Sequence, residues 1–223
     1  MQLPVRRELD AIVADTMTPV LEGAGFSRRG RDFLRLADDR IVQVLSVQTS
    51  QHSTQTFVSW TYNLGAYIPE LLEIRGHARP DATPDASGCH LHIRLQTLCP
   101  ERGGGSETWY DLGDDGFALH LRSDTYRELD YDPRRADTVR TRVRADLVEL
   151  VIPFFDHTRS WRDWIAFLRG PSGQEASAFE HLVLALLTDD LASARTIYRE
   201  TFRARPEVRS YVQRRFGVDL QKT

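Results

Sequence analysis

The sequence is poor in cysteine, in lysine and in long apolar runs, and each shortage excludes a class of protein. Only 2 cysteines occur among 223 residues, Cys89 and Cys99, and neither lies in a C-x-x-C or Cys/His zinc spacing. No apolar run approaches the roughly 18 residues that a membrane span requires, and the first residues lack the apolar core of a signal peptide. We therefore expect a cytoplasmic protein with reduced thiols, no membrane segment, no metal and no other cofactor.

The charge of the chain argues against one class of partner. The formal net charge is −3 and the pI is about 6.2, whereas a protein that coats nucleic acid usually needs a net basic surface. Lys222 is the only lysine, so nearly all positive charge is arginine, which suits bidentate recognition of carboxylates and phosphates. Nucleic acid is thus a disfavoured partner, and the oligomeric state stays open.

The apolar periodicity changes from helical to alternating near Phe26. Apolar residues recur at three- and four-residue spacing from Val5 to Leu21, which predicts an amphipathic helix that ends at Gly23 and Gly25. The alternating part that follows predicts short strands with turn residues between them. These strands lie near residues 33–36, 41–48, 56–66, 90–98 and 108–112.

From Pro133 onward the periodicity is helical again and stays so to the end of the chain. The sequence therefore predicts an α+β fold with an N-terminal helix packed on an antiparallel sheet of about five strands, followed by a C-terminal all-helical extension. We expect residues 1–132 to form the helix and sheet, and residues 133–223 to form a helical region packed on the same domain.

Several local motifs resemble a known family. The segment at 25–35 (GFSRRGRDFLR), the strand that ends in Asn63-Leu64-Gly65-Ala66-Tyr67, and the stretch at 152–156 (IPFFD) are similar to domain-of-unknown-function family 4304. Residues 89–94 and 109–112 fit as well, so the resemblance covers roughly the first three quarters of the chain. It implies a bacterial helix-plus-antiparallel-sheet domain without an assigned activity.

Two of the predicted strands, at 56–66 and 90–98, alternate apolar and polar residues, so each should have one buried and one polar face. A guanidinium in the middle of such a polar row can make charge-assisted hydrogen bonds to a carboxylate or phosphate. We expect this face to be a binding surface. The alternative is that its arginine is covered by the C-terminal helices and pairs with an internal acidic residue. The face comprises Thr61, Asn63, His92, Arg94 and Gln96.

A second candidate is the basic turn that follows the first helix. Arg28, Arg29 and Arg31 surround Gly30, which concentrates guanidinium groups where backbone donors are also free. This pattern indicates an anion-binding site. A solvated surface turn is the alternative interpretation.

The histidine pair His90 and His92 is the nearest approach to a catalytic or metal motif. Residues two apart on a strand project to the same side, but a zinc site needs three or four ligands, and no further ligand is placed beside them by the sequence. We also find no nucleophile elbow and no phosphate-binding loop. No catalytic residue is therefore predicted.

The sequence and the resemblance together predict an uncharacterised bacterial cytoplasmic protein that acts as a non-enzymatic binding or interaction module. The expected partner is another protein, and neutralisation of a bacterial toxin is the narrower hypothesis. The alternative is an enzyme or metal-dependent hydrolase that uses His90 and His92.

Overall fold

The N-terminal helix begins the described part of a computed structural model, which covers residues 4–38, 41–54, 57–67, 85–99, 109–113, 133–169 and 178–221. The helix runs through α1 (Pro4–Ala11), a π-helical stretch (Ile12–Met17) and α2 (Thr18–Gly23). Every residue of the predicted apolar stripe is buried except Val20, which is half-buried. Burial of one stripe and exposure of the rest is what an amphipathic helix on a sheet requires.

The first helix ends in a Schellman motif. Gly25 adopts a left-handed φ of +85°, its N–H donates to the carbonyl of Glu22, and the N–H of Phe26 donates to the carbonyl of Leu21. This pairing is the usual way to satisfy the last carbonyls of a helix, and glycine tolerates the required φ. The chain then reverses into the first strand.

Within the described ranges the sheet has six strands, against about five predicted. All described pairs are antiparallel, in the order β1-β2-β3-β4-β5, and β6 also pairs with β4. The additional strand is β1, which the sequence pattern presented as part of a turn. The bounds are β1 Ser27–Arg29, β2 Asp32–Leu36, β3 Val42–Thr49, β4 Phe57–Tyr67, β5 Leu91–Arg94 and β6 Tyr110–Gly113.

The strand predicted at 90–98 is shorter in the structure, because two strands share one edge of β4. β5 pairs with β4 from Ala66 to Asn63, and β6 pairs with the same strand from Trp60 to Phe57. A longer β5 would compete with β6 for the same backbone groups. The chain instead turns into a 3-10 helix at Leu95–Leu98.

All eleven residues of β4 are buried, so the central strand is covered on both faces. Its apolar residues Trp60, Tyr62 and Leu64 belong to the main core with the first helix and the C-terminal helices. Residues of the opposite face pack in a small cluster that contains Val44, Tyr67, Ala86 and Cys89. The polar side chains of this strand are therefore covered as well.

The C-terminal region is helical, as predicted. A long helix combines α3 (Pro133–Asp146), a π-helical segment (Leu147–Val151) and α4 (Ile152–His157). A buried hydrogen bond of 2.6 Å from Tyr110 Oη to Asp146 Oδ2 links it to β6. The remaining helices are α5 (Trp161–Arg169), α6 (Ala178–Leu187), α7 (Leu191–Ile197) and α8 (Pro206–Phe216), with a π-helical stretch (Tyr198–Phe202) before the last.

Helix α6 contributes to two cores. Val183 and Leu184 pack in the main core, whereas Leu182 and Leu186 pack in a second cluster with residues of α7 and α8. Because the apolar surface of α6 is divided in this way, its burial needs both the main core and the cluster with α7 and α8. None of the helices in the described ranges is long and apolar enough to cross a membrane.

Candidate anion-binding groove

An arginine-lined groove lies where the end of the first helix, the edge of the sheet and the long C-terminal helix meet. Its volume is about 600 Å³, within the range of about 300–1,000 Å³ that is typical of ligand sites. The first helix, β2 and the long helix each supply part of the wall. The lining residues are Val20, Gly23, Ala24, Arg35, Arg144, Val148, Ile152, Asp156 and Arg159.

Arg35 is the central residue of the groove, and it is only 8% exposed. Its Nη1 donates to the carbonyl of Ala24 at 2.9 Å and to Asp156 Oδ1 at 2.8 Å, and its guanidinium carbon lies 4.6 Å from the centre of the Phe26 ring. Its Nη2 is buried and has no hydrogen-bond partner among the described residues. A buried charged donor is thus left incompletely satisfied.

Gln43 fixes the Arg35 side chain from the neighbouring strand. The two residues are register partners of β2 and β3, and Arg35 Nε donates to Gln43 Oε1 at 2.8 Å. The Gln43 amide nitrogen donates to the carbonyls of Phe155 at 2.6 Å and Thr158 at 2.9 Å. One buried amide therefore connects the sheet, the arginine and the end of the long helix.

The groove is locally basic in a chain of negative net charge. Three guanidinium groups, those of Arg35, Arg144 and Arg159, line it together with a single carboxylate, that of Asp156, which gives a formal local charge of +2 (three minus one). Arg159 also contacts Asp38, with Nη2 3.3 Å from Oδ1, but both side chains of this pair are exposed. Such surface pairs are weak, so the groove retains an attraction for anions.

One wall of the groove is apolar. Val20, Val148 and Ile152 form it, and Val148 is 51% exposed. Val148 lies in the π-helical segment of the long helix, and π-helical turns occur frequently at functional sites. The groove therefore combines guanidinium donors with an accessible aliphatic surface.

The five residues of the predicted sheet face do not form one open surface. Thr61 and Asn63 are 2% and 5% exposed, and Asn63 Nδ2 donates to Gln48 Oε1 at 2.7 Å. His92 and Arg94 are exposed on β5, where Arg94 is the register partner of Asn63. Gln96 is exposed too, but it lies beyond the strand in the 3-10 helix.

The predicted basic turn is a tight hairpin between β1 and β2. Arg29 and Asp32 are register partners, so the hairpin loop consists of Gly30, with a left-handed φ of +65°, and Arg31. Each arginine has an intramolecular contact: Arg28 Nε donates to the Gly30 carbonyl at 2.8 Å, Arg29 Nη2 lies 3.7 Å from Asp32 Oδ2, and Arg31 Nη2 donates to Asp10 at 2.8 Å. Anion binding by this turn stays a prediction.

The two histidines have different surroundings. The ring of His90 stacks on the ring of Tyr67, with 5.4 Å between the centroids, whereas His92 is exposed. Across the described ranges, no group of three or more His, Cys, Asp or Glu side chains is placed to hold a metal ion.

The sequence contains an indication of the groove that apolar periodicity by itself does not reveal. Arg35 shares the inward phase of β2 with Phe33, and Gln43 shares the inward phase of β3 with Leu45. A polar residue at a core position on each of two neighbouring strands indicates a buried polar pair. Asp156 and Arg159 carried no comparable signal, because they lie on either side of the end of α4 and not at predicted core positions.

The comparisons with known proteins give one match. The family described as "Domain of unknown function (DUF4304)" matches residues 17–157, which contain every lining residue of the groove except Arg159. No curated protein and no solved structure matches the chain.

Proposed function

The chain belongs to the DUF4304 family, whose description names no activity, and we propose that it is a non-enzymatic binding module and that the groove around Arg35 is its ligand site. The ligand group that this site suits is an anion, either a carboxylate or a phosphate. Both are recognised by guanidinium groups through charge-assisted hydrogen bonds.

The observation that carries this proposal is the incomplete pairing of Arg35. Its Nη2 is buried and finds no acceptor in the described part of the chain, and a buried donor of this kind costs about 1–3 kcal/mol. A ligand oxygen in the groove offsets that cost when the guanidinium turns Nη2 towards it, since Nη2 itself is buried. The positions of Arg144 and Arg159 on the same groove add attraction for the same charge.

The alternative of an enzyme that uses His90 and His92 has less support. His90 stacks on Tyr67, and the described residues contain no cluster of three metal-ligating side chains. Neutralisation of a toxin is a narrower form of the binding hypothesis. It stays a prediction, because neither the family nor the groove identifies a partner.

The experiment is a calorimetric titration with sodium phosphate and with sodium citrate at constant ionic strength, which keeps charge screening unchanged. Arg144 is exposed, so Arg144→Ala should leave the free energy of unfolding within about 0.5 kcal/mol of wild type. We expect it to weaken the binding of both anions about tenfold, since one charge-assisted hydrogen bond is lost.

The matched control is Arg199→Ala, which removes another exposed arginine that lies outside the groove. It should leave both affinities unchanged. Equal losses in the two variants would indicate nonspecific attraction. Absence of measurable binding to wild type at millimolar anion would reject the groove as the site.

A further inference from the structure

We infer that the occupant of the groove is an acidic segment of a partner protein in which a carboxylate side chain stands next to an aliphatic one. This inference rests on the proposed function and makes it narrower. It follows from the position of Val148, which lines the groove together with the three arginines. A small anion would contact the arginines but would leave Val148 without a contact.

Large exposed apolar side chains are rare on the described surface. They are Leu36, which is 70% exposed, and Val148, which is 51% exposed. A single exposed aliphatic residue has little meaning in general. Val148, however, lies on the wall of a basic groove, beside Val20 and Ile152, so it offers an apolar contact at the place where anions are attracted.

The local helix geometry presents Val148 outward. Its neighbours Leu147 and Val151 are fully buried and hold the π-helical segment against the core, while Val148 itself stays accessible. Because Leu147 and Val151 fix this segment, Val148 needs little rearrangement to contact a ligand. A preorganised surface of this kind binds with a smaller entropic cost.

The charges of the groove favour a peptide over a nucleic acid. Asp156 places a carboxylate among the three arginines, and the chain as a whole has a net charge of −3. Nucleic-acid binding relies on several neutralised phosphates, which this surface does not favour. A glutamate or aspartate of a peptide needs only one guanidinium and leaves its aliphatic neighbour free to contact Val148.

The test uses fluorescein-labelled peptides in fluorescence polarisation. The first peptide alternates glutamate and leucine, the second has glutamine in place of glutamate, and the third has serine in place of leucine. We expect wild-type protein to bind the first peptide at least tenfold more tightly than either of the others. A labelled oligouridylate and inorganic phosphate are measured in parallel.

Two variants separate the apolar contribution from the charged one. Val148→Ser should weaken binding of the glutamate–leucine peptide about three- to tenfold, because buried aliphatic surface is lost, and should weaken phosphate binding by a smaller factor. Leu36→Ser, which alters the other large exposed aliphatic residue, lies outside the groove and should change neither affinity.

The outcomes distinguish this inference from the proposed function. Phosphate binding that depends on Arg144, together with no preference among the peptides, would overturn the inference and leave the anion groove in place. Equal binding of the glutamine–leucine peptide, or tighter binding of oligouridylate, would overturn it as well. Failure of all probes, phosphate included, would overturn both.

Discussion

Arg35 and Gln43 face one another on neighbouring strands, and the guanidinium Nε donates to the amide oxygen at 2.8 Å inside an otherwise apolar layer. The same amide donates to the carbonyls of Phe155 and Thr158, so the pair connects β2, β3 and the end of the long helix. The residue that shapes the groove is therefore also part of the packing between sheet and helices, and changes at either residue should affect stability.

Gln43→Leu should lower the free energy of unfolding by about 3 kcal/mol or more, because Arg35 Nε and the carbonyls of Phe155 and Thr158 each lose a hydrogen bond to the Gln43 side chain. The measurement is urea unfolding followed by tryptophan fluorescence. Gln213→Leu is the control, since that side chain is exposed on α8, and it should change the stability by about 0.5 kcal/mol or less. Similar losses for the two variants would contradict a structural role of Gln43.

Asp156→Asn should strengthen phosphate binding about three- to tenfold, because the formal charge of the groove rises from +2 to +3 (three guanidinium groups and no carboxylate). Asp156 is 49% exposed, so the loss of stability should stay below about 1 kcal/mol. Asp137→Asn is the control: it makes the same change in net charge at an exposed position outside the groove and should not alter the affinity. Weaker binding by Asp156→Asn would instead show that Asp156 holds Arg35 in its binding position.

Gly65→Ala should destabilise the protein by about 1–3 kcal/mol, the usual cost of overpacking. A Cβ at this position would lie 2.9 Å from both Cβ and Sγ of Cys89 and 3.1 Å from the carbonyl oxygen of Ala86. Gly23→Ala is the control, since its Cβ would meet no described atom within 4 Å and alanine is the better helix former by about 1 kcal/mol. Thermal unfolding of both variants tests whether Gly65 in β4 lies close to the segment at Ala86 and Cys89. An unchanged midpoint for Gly65→Ala would contradict this close approach.

Cys89 should make the protein less stable in alkaline solution. Burial, followed by the charges of Asp85 and Asp32, raises the pKa of its thiol from 9.0 to about 12, so the folded state keeps a proton that the unfolded state loses. The stabilisation is complete below pH 9 and is lost as the pH rises towards 12. At pH 10 the loss from this one thiol is about 1.4 kcal/mol.

Cys89→Ala isolates this contribution, because the tyrosines of the chain titrate equally in both proteins. Between pH 8 and pH 10, the free energy of unfolding of wild type should fall by about 1.3 kcal/mol more than that of the variant. Parallel pH profiles in urea unfolding would show that the thiol is not protected by burial.

Truncation after Gly170 should give aggregated or strongly destabilised protein. It removes α6, whose Val183 and Leu184 are fully buried in the main core, and exposed apolar surface of this kind costs about 25 cal/mol per Å². A monomeric fragment that melts at the temperature of the full chain would refute the dependence of the sheet domain on α6.

Apolar periodicity was sufficient to predict the α+β class, the N-terminal helix, the antiparallel sheet and the C-terminal helices, because these features depend on which side of each element must leave water. The predicted stripe from Val5 to Leu21 is buried, except that Val20 is half-buried. The motifs at 25–35 and 152–156 led to the family, which the match over residues 17–157 establishes. These conclusions depend only on the sequence of residues within short segments of the chain.

The remaining features of the sheet and the groove depend on contacts between segments that are distant in sequence. The sequence could not show that β6 takes the edge of β4 that a longer β5 would need, or that Thr61 and Asn63 are covered while Arg94 is exposed. The groove itself joins Ala24, Arg35 and Asp156 across more than 120 residues of chain. Its charge and its incompletely paired guanidinium are properties of that tertiary arrangement, since no local pattern sets the distance between groups so far apart in sequence.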